Sequence, residues 1–248
     1  MDAEGPDLDA GLANQEFAFV SSTYGEDVVD PYPMLRELRE TMPVMDGDIL
    51  ARFNVPSQAD YSNVGRRVFT LFRHEHIRQV LADTQTYTAR LLNDGQSVFW
   101  GEDTWTSEDG DTHRRMRTLL APCFNPALMR RWSAEMIEPM VREVYARPLV
   151  ERKSCDLIAD FALRFPVRAI YSFLGFPDDP VGVEKFANWA LRILGGAQRD
   201  PAKLAISGPM AFQAARDLYD HIKAIVAMRR AAGATGDDMI AYLLRAEH

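Results

Sequence analysis

The stretch Gly110-Asp111-Thr112-His113-Arg114-Arg115-Met116-Arg117-Thr118-Leu119-Leu120-Ala121-Pro122-Cys123-Phe124-Asn125-Pro126 limits the fold more than any other part of the chain. It predicts a helix that Asp111 can cap and that Pro122 limits, because the residue before a proline avoids the α region. A second helix restarts at Asn125-Pro126, with Asn at the cap and Pro at the first helical position. In the first helix His113 and Arg117 are four residues apart, so their side chains lie one above the other on one face. Two donor-rich heads at that spacing suit an anion with two acid groups, a pair of carboxylates or a phosphate.

The 248 residues are enough for one large domain or two modest ones. With 47% hydrophobic and 26% charged residues the composition is that of a folded globular protein. A net charge of −8 excludes broad binding to nucleic acid or to anionic membranes, which needs a basic footprint. Two cysteines, Cys123 and Cys155, make neither a disulfide framework nor a metal-ligand spacing. The N-terminus lacks the basic and apolar regions of a signal peptide, and no stretch approaches the ~20 apolar residues of a membrane span. A cytoplasmic setting is the expectation.

Along the chain, residues 1–29 read as a loose acidic arm, 30–90 as a small β-containing lobe and 91–248 as a helical lobe. Asp30-Pro31 opens a helix that Met42-Pro43 ends. Ile49, Ala51 and Phe53 alternate with polar residues, as do Val68, Thr70 and Phe72, which predicts a two-stranded hairpin followed by a helix from His74 to Leu81. Residues 83–109 are aperiodic, with a turn signal at Asn93-Asp94-Gly95. From Pro126 the pattern is helical, with an i+4 ladder of Leu128, Trp132, Met136, Met140 and Val144 that Pro139 and Pro148 should kink or interrupt. Leu157 to Leu174 is apolar on nearly every side and predicts burial all round, closed by Gly175. Two amphipathic helices follow, one from Val183 to Leu194 and one through Ala211 to Val226. Thr235-x-x-Asp238 has the form of a capping box for a last helix carrying Met239, Ile240, Leu243 and Leu244.

The run Asp-Gly-x-x-His-Arg-Arg-x-Arg-x-Leu-Leu-x-Pro-x-Phe-x-Pro resembles the C helix and C–D corner of the cytochrome P-450 superfamily, the haem-thiolate monooxygenases of the soluble bacterial type. The order of helix, hairpin and helix ahead of it resembles that family's front lobe. The implied fold is mainly α with a small β hairpin, the front half of the P-450 fold, ending before the central I helix. The resemblance implies that His113 and Arg117 hold the propionates of haem b. It makes Val98, Phe99 and Trp100 candidate walls of a substrate pocket, although they could equally pin a long loop to the body. It turns the last two amphipathic helices into a lid over the substrate, where periodicity alone gives an ordinary helical hairpin. Arg114, Arg115, Arg130 and Arg131 are either a solvated helix face or the patch that meets a ferredoxin. One departure from the family is Thr106-Ser107-Glu108, where apolar residues usually precede the Asp-Gly.

The family's chemistry requires a cysteine thiolate on the haem iron. Cys123, in Ala-Pro-Cys-Phe-Asn-Pro, and Cys155, in Lys-Ser-Cys-Asp, lack the motif of that ligand. The acid–alcohol pair of the I helix has no counterpart, and Glu75-His76-Ile77-Arg78 matches the K-helix Glu-x-x-Arg only literally, on an early short helix. No catalytic or metal-binding residue is therefore expected. The resemblance implies the N-terminal fragment or split half of a bacterial monooxygenase that inserts oxygen from O₂ into a lipophilic substrate when complete. Such an enzyme draws electrons from a ferredoxin and its reductase, and a complementary C-terminal chain would finish it. Alone, it is expected to be inactive. The alternative is a non-catalytic helical module that binds a lipophilic ligand or a partner protein.

Overall fold

A computed structural model describes residues 17–22, 30–57, 65–91, 105–177, 179–196 and 198–246. They fall into two compact units: a hairpin unit of Ala18–Met116 with Arg192–Ala215, and a helical unit built chiefly of Arg117–Leu191 and Arg216–His248.

In the hairpin unit, α1 (Tyr32–Thr41) starts behind Asp30, whose carboxylate accepts a hydrogen bond from the Tyr32 amide at 3.1 Å. The sheet is the antiparallel pair β1 (Val44–Asp46) and β2 (Phe69–Leu71), with Met45 opposite Thr70. Met45 is buried while its neighbours Val44 and Asp46 face out, the alternation that a half-buried strand requires. Covering such a side chain contributes roughly 1.5–3 kcal/mol.

The second strand lies where the sequence predicts it, but the first does not. Ile49, Ala51 and Phe53 are not a strand, because Ile49–Arg52 forms the short helix α2. Asp48 decides this by accepting from the Leu50 amide at 2.9 Å, a helix cap that a three-residue alternation cannot outweigh. Helix α3 (His74–Ala82) follows the sheet as expected.

Helix α4 (Gly110–Leu120) leads through a tight turn at Ala121–Phe124 to α5 (Pro126–Trp132). Asn125 caps α5 by accepting from the Leu128 amide at 2.9 Å. The backbone then stays helical to residue 152, ending in α6 (Arg147–Arg152). Neither proline interrupts it, though the backbone departs from regular α geometry around them. The stretches Ser133–Ile137 and Met140–Ala146 adopt the wider π register on either side of Pro139, and Pro148 occupies the opening turn of α6. The looser register absorbs the missing amide and the bulk of the ring.

The predicted single helix from 157 to 174 is two pieces. A π turn at Ile158–Ala162 and α7 (Phe165–Leu174) meet at Leu163–Arg164, where Pro166 opens the new helix. Burial all round is also not observed: Leu157 is 62% exposed, Ile158 52% and Ile170 51%. Packing is uneven: Tyr145, Phe161 and Phe165 are in mutual ring contact at 5.2–5.9 Å, Phe173 meets Trp132, and Tyr171 is fully buried.

Helix α8 (Pro180–Leu194) is capped by Asp179, which accepts from the Val181 and Gly182 amides. Helix α9 (Pro201–Ala231) begins ten residues before Ala211 and accommodates Pro209 within its length. Helix α10 (Met239–Ala246) is capped by Asp238 itself, through the Ala241 amide at 2.9 Å, and not by a Thr235 box. The core of the helical unit gathers Tyr171, Phe176, Ile225, Ile240 and Leu244, with Val183 and Phe186 packed against them.

Candidate functional site

Helix α4 carries the candidate donors. Asp109 ties its entry to a segment some twenty residues earlier in the chain: the carboxylate accepts from the Ala89 amide at 3.0 and 3.2 Å and from the Thr88 hydroxyl. The Thr88 hydrogen bond, chiefly, holds the Asp109 acid below the usual carboxylate range. Gly110 then takes a left-handed turn at φ +57°, which glycine adopts without the steric penalty of a Cβ. Asp111 is not the cap. It lies inside the first turn and pairs with Arg114 at 2.6 Å, both side chains exposed.

One turn separates His113 from Arg117, about 6 Å along the axis. The imidazole is half-buried and the guanidinium exposed. Among the described residues neither head has a hydrogen bond or an ion pair. The helix has no buried residue: Met116 and Leu120 are half-covered and Leu119 is 42% exposed. A helix with so little apolar cover, presenting two uncommitted donors at i and i+4, is free to meet an anionic ligand with both.

The four further arginines differ among themselves. Arg114 is engaged by Asp111, and Arg131 by Asp237 at 3.1 Å and, more distantly, by Glu135 at 3.8 Å. Arg115 and Arg130 are exposed. Val98, Phe99 and Trp100 lie outside the described residues. Ser107, at the departure from the family pattern, is completely buried despite its hydroxyl.

Of the sulfurs, Cys123 is buried in the turn after α4, and burial pushes its thiol up, away from the thiolate form. Cys155 is exposed. Among the described residues no group of three or more His, Cys, Asp and Glu side chains could hold a metal ion, and no helix is long and apolar enough to cross a membrane.

No family model matches the sequence. Individual relatives do. The erythromycin C-12 hydroxylase of Saccharopolyspora erythraea is 29% identical over 185 residues, which is 73% of this chain and 43% of that enzyme. A putative cytochrome P450 123 of Mycobacterium bovis is 26% identical over 159 residues, 60% of this chain and 34% of that protein. The substrate-free crystal structure of CYP109E1 from Bacillus megaterium superposes with a TM-score of 0.61 at 20% identity, over 87% of this chain and 51% of that one. The chain is similar to bacterial cytochrome P450s, in sequence to part of each relative and in fold to about half of each solved structure. It spans about half the length of the solved P450 it matches, and less of the two relatives.

The P450 family implies haem. The donor set on α4 fits the acid arms of that group, since His113 and Arg117 are unengaged and stacked on one face. For the iron it offers no ligand by motif, since Cys123 stands in Ala-Pro-Cys-Phe-Asn-Pro and Cys155 in Lys-Ser-Cys-Asp.

Two well-built polar clusters escaped the sequence reading. One joins Arg199 to Asp48, and the other pairs the Tyr171 hydroxyl with His221 Nε2 at 3.1 Å. The first brings together residues 151 positions apart, which no local pattern encodes.

Proposed function

We propose that this chain is the part of a bacterial haem-thiolate monooxygenase that grips the haem's acid arms and covers the substrate, and that it does not turn over by itself. The arrangement of His113 and Arg117 on a helix with no buried residue carries the proposal. The Arg117 guanidinium would pair with one propionate and the His113 N–H would donate to the other, which orients the ring plane against α4. Haem whose iron carries a thiolate supplies the activation of O₂, and that thiolate would come from the other half of the fold, continued on the same polypeptide or supplied as a second chain. Helices α8 and α9 would form the lid. The substrate would be lipophilic, in keeping with the related enzyme whose name places its hydroxylation on erythromycin. Arg115 and Arg130, with Arg114 and Arg131, would face an acidic ferredoxin that its reductase keeps reduced.

Titrating haem into the purified chain and following its Soret band tests this directly. His113→Ala with Arg117→Ala should weaken uptake by roughly 10-fold or more, the loss expected for one or two charge-assisted hydrogen bonds. Uptake unchanged by the double substitution would refute the propionate role.

The second reading, a helical module that binds a lipophilic ligand or a partner, draws on the exposed Val150, Leu157, Ile158 and Ile170. Apolar side chains clustered at a surface mark interaction sites. A monodisperse chain that unfolds cooperatively and ignores haem would favour it.

A further inference from the structure

The connector between α8 and α9 is not a surface loop. Gly195, Gly196 and Gln198 are buried, whereas connecting segments ordinarily run exposed because their backbone polar groups need water. Here the polar groups are satisfied internally: Gln198 donates to the Gly195 carbonyl at 2.8 Å, and Ser207 of α9 to the Gly196 carbonyl at 3.4 Å. Arg199 then closes the segment onto the hairpin side of the same unit. Its Nη2 lies 2.9 Å from Asp48 Oδ2, and its Nε donates to the Val55 carbonyl. Asp48 is committed on every side, since Oδ1 caps α2 and Oδ2 also accepts from the Ser57 hydroxyl at 2.5 Å. The two charged side chains are only 18% and 17% exposed. A charge-assisted fork at that depth is screened far less than a surface pair and is correspondingly stronger.

We propose that Arg199 and Asp48 form a latch that keeps the α8–α9 connector seated in the hairpin unit, and that breaking it releases the connector and the first turns of α9 while the rest of the unit stays folded. The latch itself does not depend on what the chain binds. That the seated connector belongs to a lid over substrate rests on the function proposed above.

Amide hydrogen exchange on the full chain tests the latch without haem or substrate. Arg199→Met leaves Asp48 its cap to Leu50 and its Ser57 contact, so α2 should persist. Amides of residues 196 and 202–205 should then lose roughly 10- to 100-fold protection, as expected for one or two charge-assisted hydrogen bonds, while α1 and the β1–β2 pair keep theirs. Arg199→Lys keeps the charge but gives up the fork, and should fall between wild type and Arg199→Met. Unchanged protection in both variants would overturn the latch, because packing alone would then hold the connector. An equal loss across the whole unit would overturn it too, because the pair would then support the fold at large and not one segment.

Discussion

His221 sits among rings, with Trp189 at 5.3 Å, Phe176 at 5.9 Å and Tyr171 at 6.2 Å between centroids, and shares a hydrogen bond with the Tyr171 hydroxyl. Burial lowers its pKa below the ordinary 6.5, the Lys185 charge lowers it further, and Asp179 opposes both. The folded state therefore favours the neutral ring. Above pH 6.5 this imidazole is neutral whether folded or unfolded, and its full contribution to stability is present. As the pH falls below 6.5 the unfolded chain takes up the proton first, so stability declines until the folded pKa is also passed. Urea midpoints measured from pH 8 to pH 5 should show that decline, and His221→Gln should flatten it. An unaltered slope would assign the acid sensitivity to other groups.

At the scale of elements, one device recurs. Asp30-Pro31, Asn125-Pro126, Asp179-Pro180 and Asp200-Pro201 each place a side-chain acceptor just ahead of a proline, and each acceptor takes an amide of the following turn at 2.8–3.1 Å. The first two were legible as helix starts. The fourth has the same signature, yet the apolar periodicity of α9 becomes clean only at Ala211, so the true start was overlooked. The hairpin was half legible for a related reason: three alternating residues cannot outweigh a cap as good as Asp48. Long-range polar pairs such as Arg199 with Asp48 leave no periodic trace at all.

Helix ends follow the same local logic. Gly175 closes α7 at φ +90°, and a Cβ there would come within 2.2 Å of the Asp238 carboxylate carbon. That carboxylate caps α10 and pairs with Arg229, which also donates to the Gly175 and Thr235 carbonyls. Gly175→Ala should thus combine left-handed strain with the loss of a cap, at a cost of at least about 2 kcal/mol. Urea denaturation reads that difference directly.

For the molecule as a whole, both units leave large apolar side chains exposed. Val150 is 75% exposed, Leu157 62%, Ile206 64% and Met228 52%. At micromolar concentrations the isolated chain should self-associate, seen as a mass in sedimentation that rises with concentration. A reduced-carbonyl spectrum of the thiolate type from this chain alone would contradict the proposed function, since neither cysteine stands in the motif of the thiolate ligand. The family was legible because α4 and the turn after it carry closely spaced, chemically distinct residues. The uncovered faces are harder to read, because periodicity shows that a side chain is apolar and not what it meets.

Asp109 settles one further matter. By fastening the chain to the amide of residue 89 one turn ahead of His113, it fixes the base of the donor helix before any guest arrives. A dianion docking there would need to immobilise only the His113 and Arg117 side chains and no backbone, so the helix is preorganised for the acid groups it is proposed to receive.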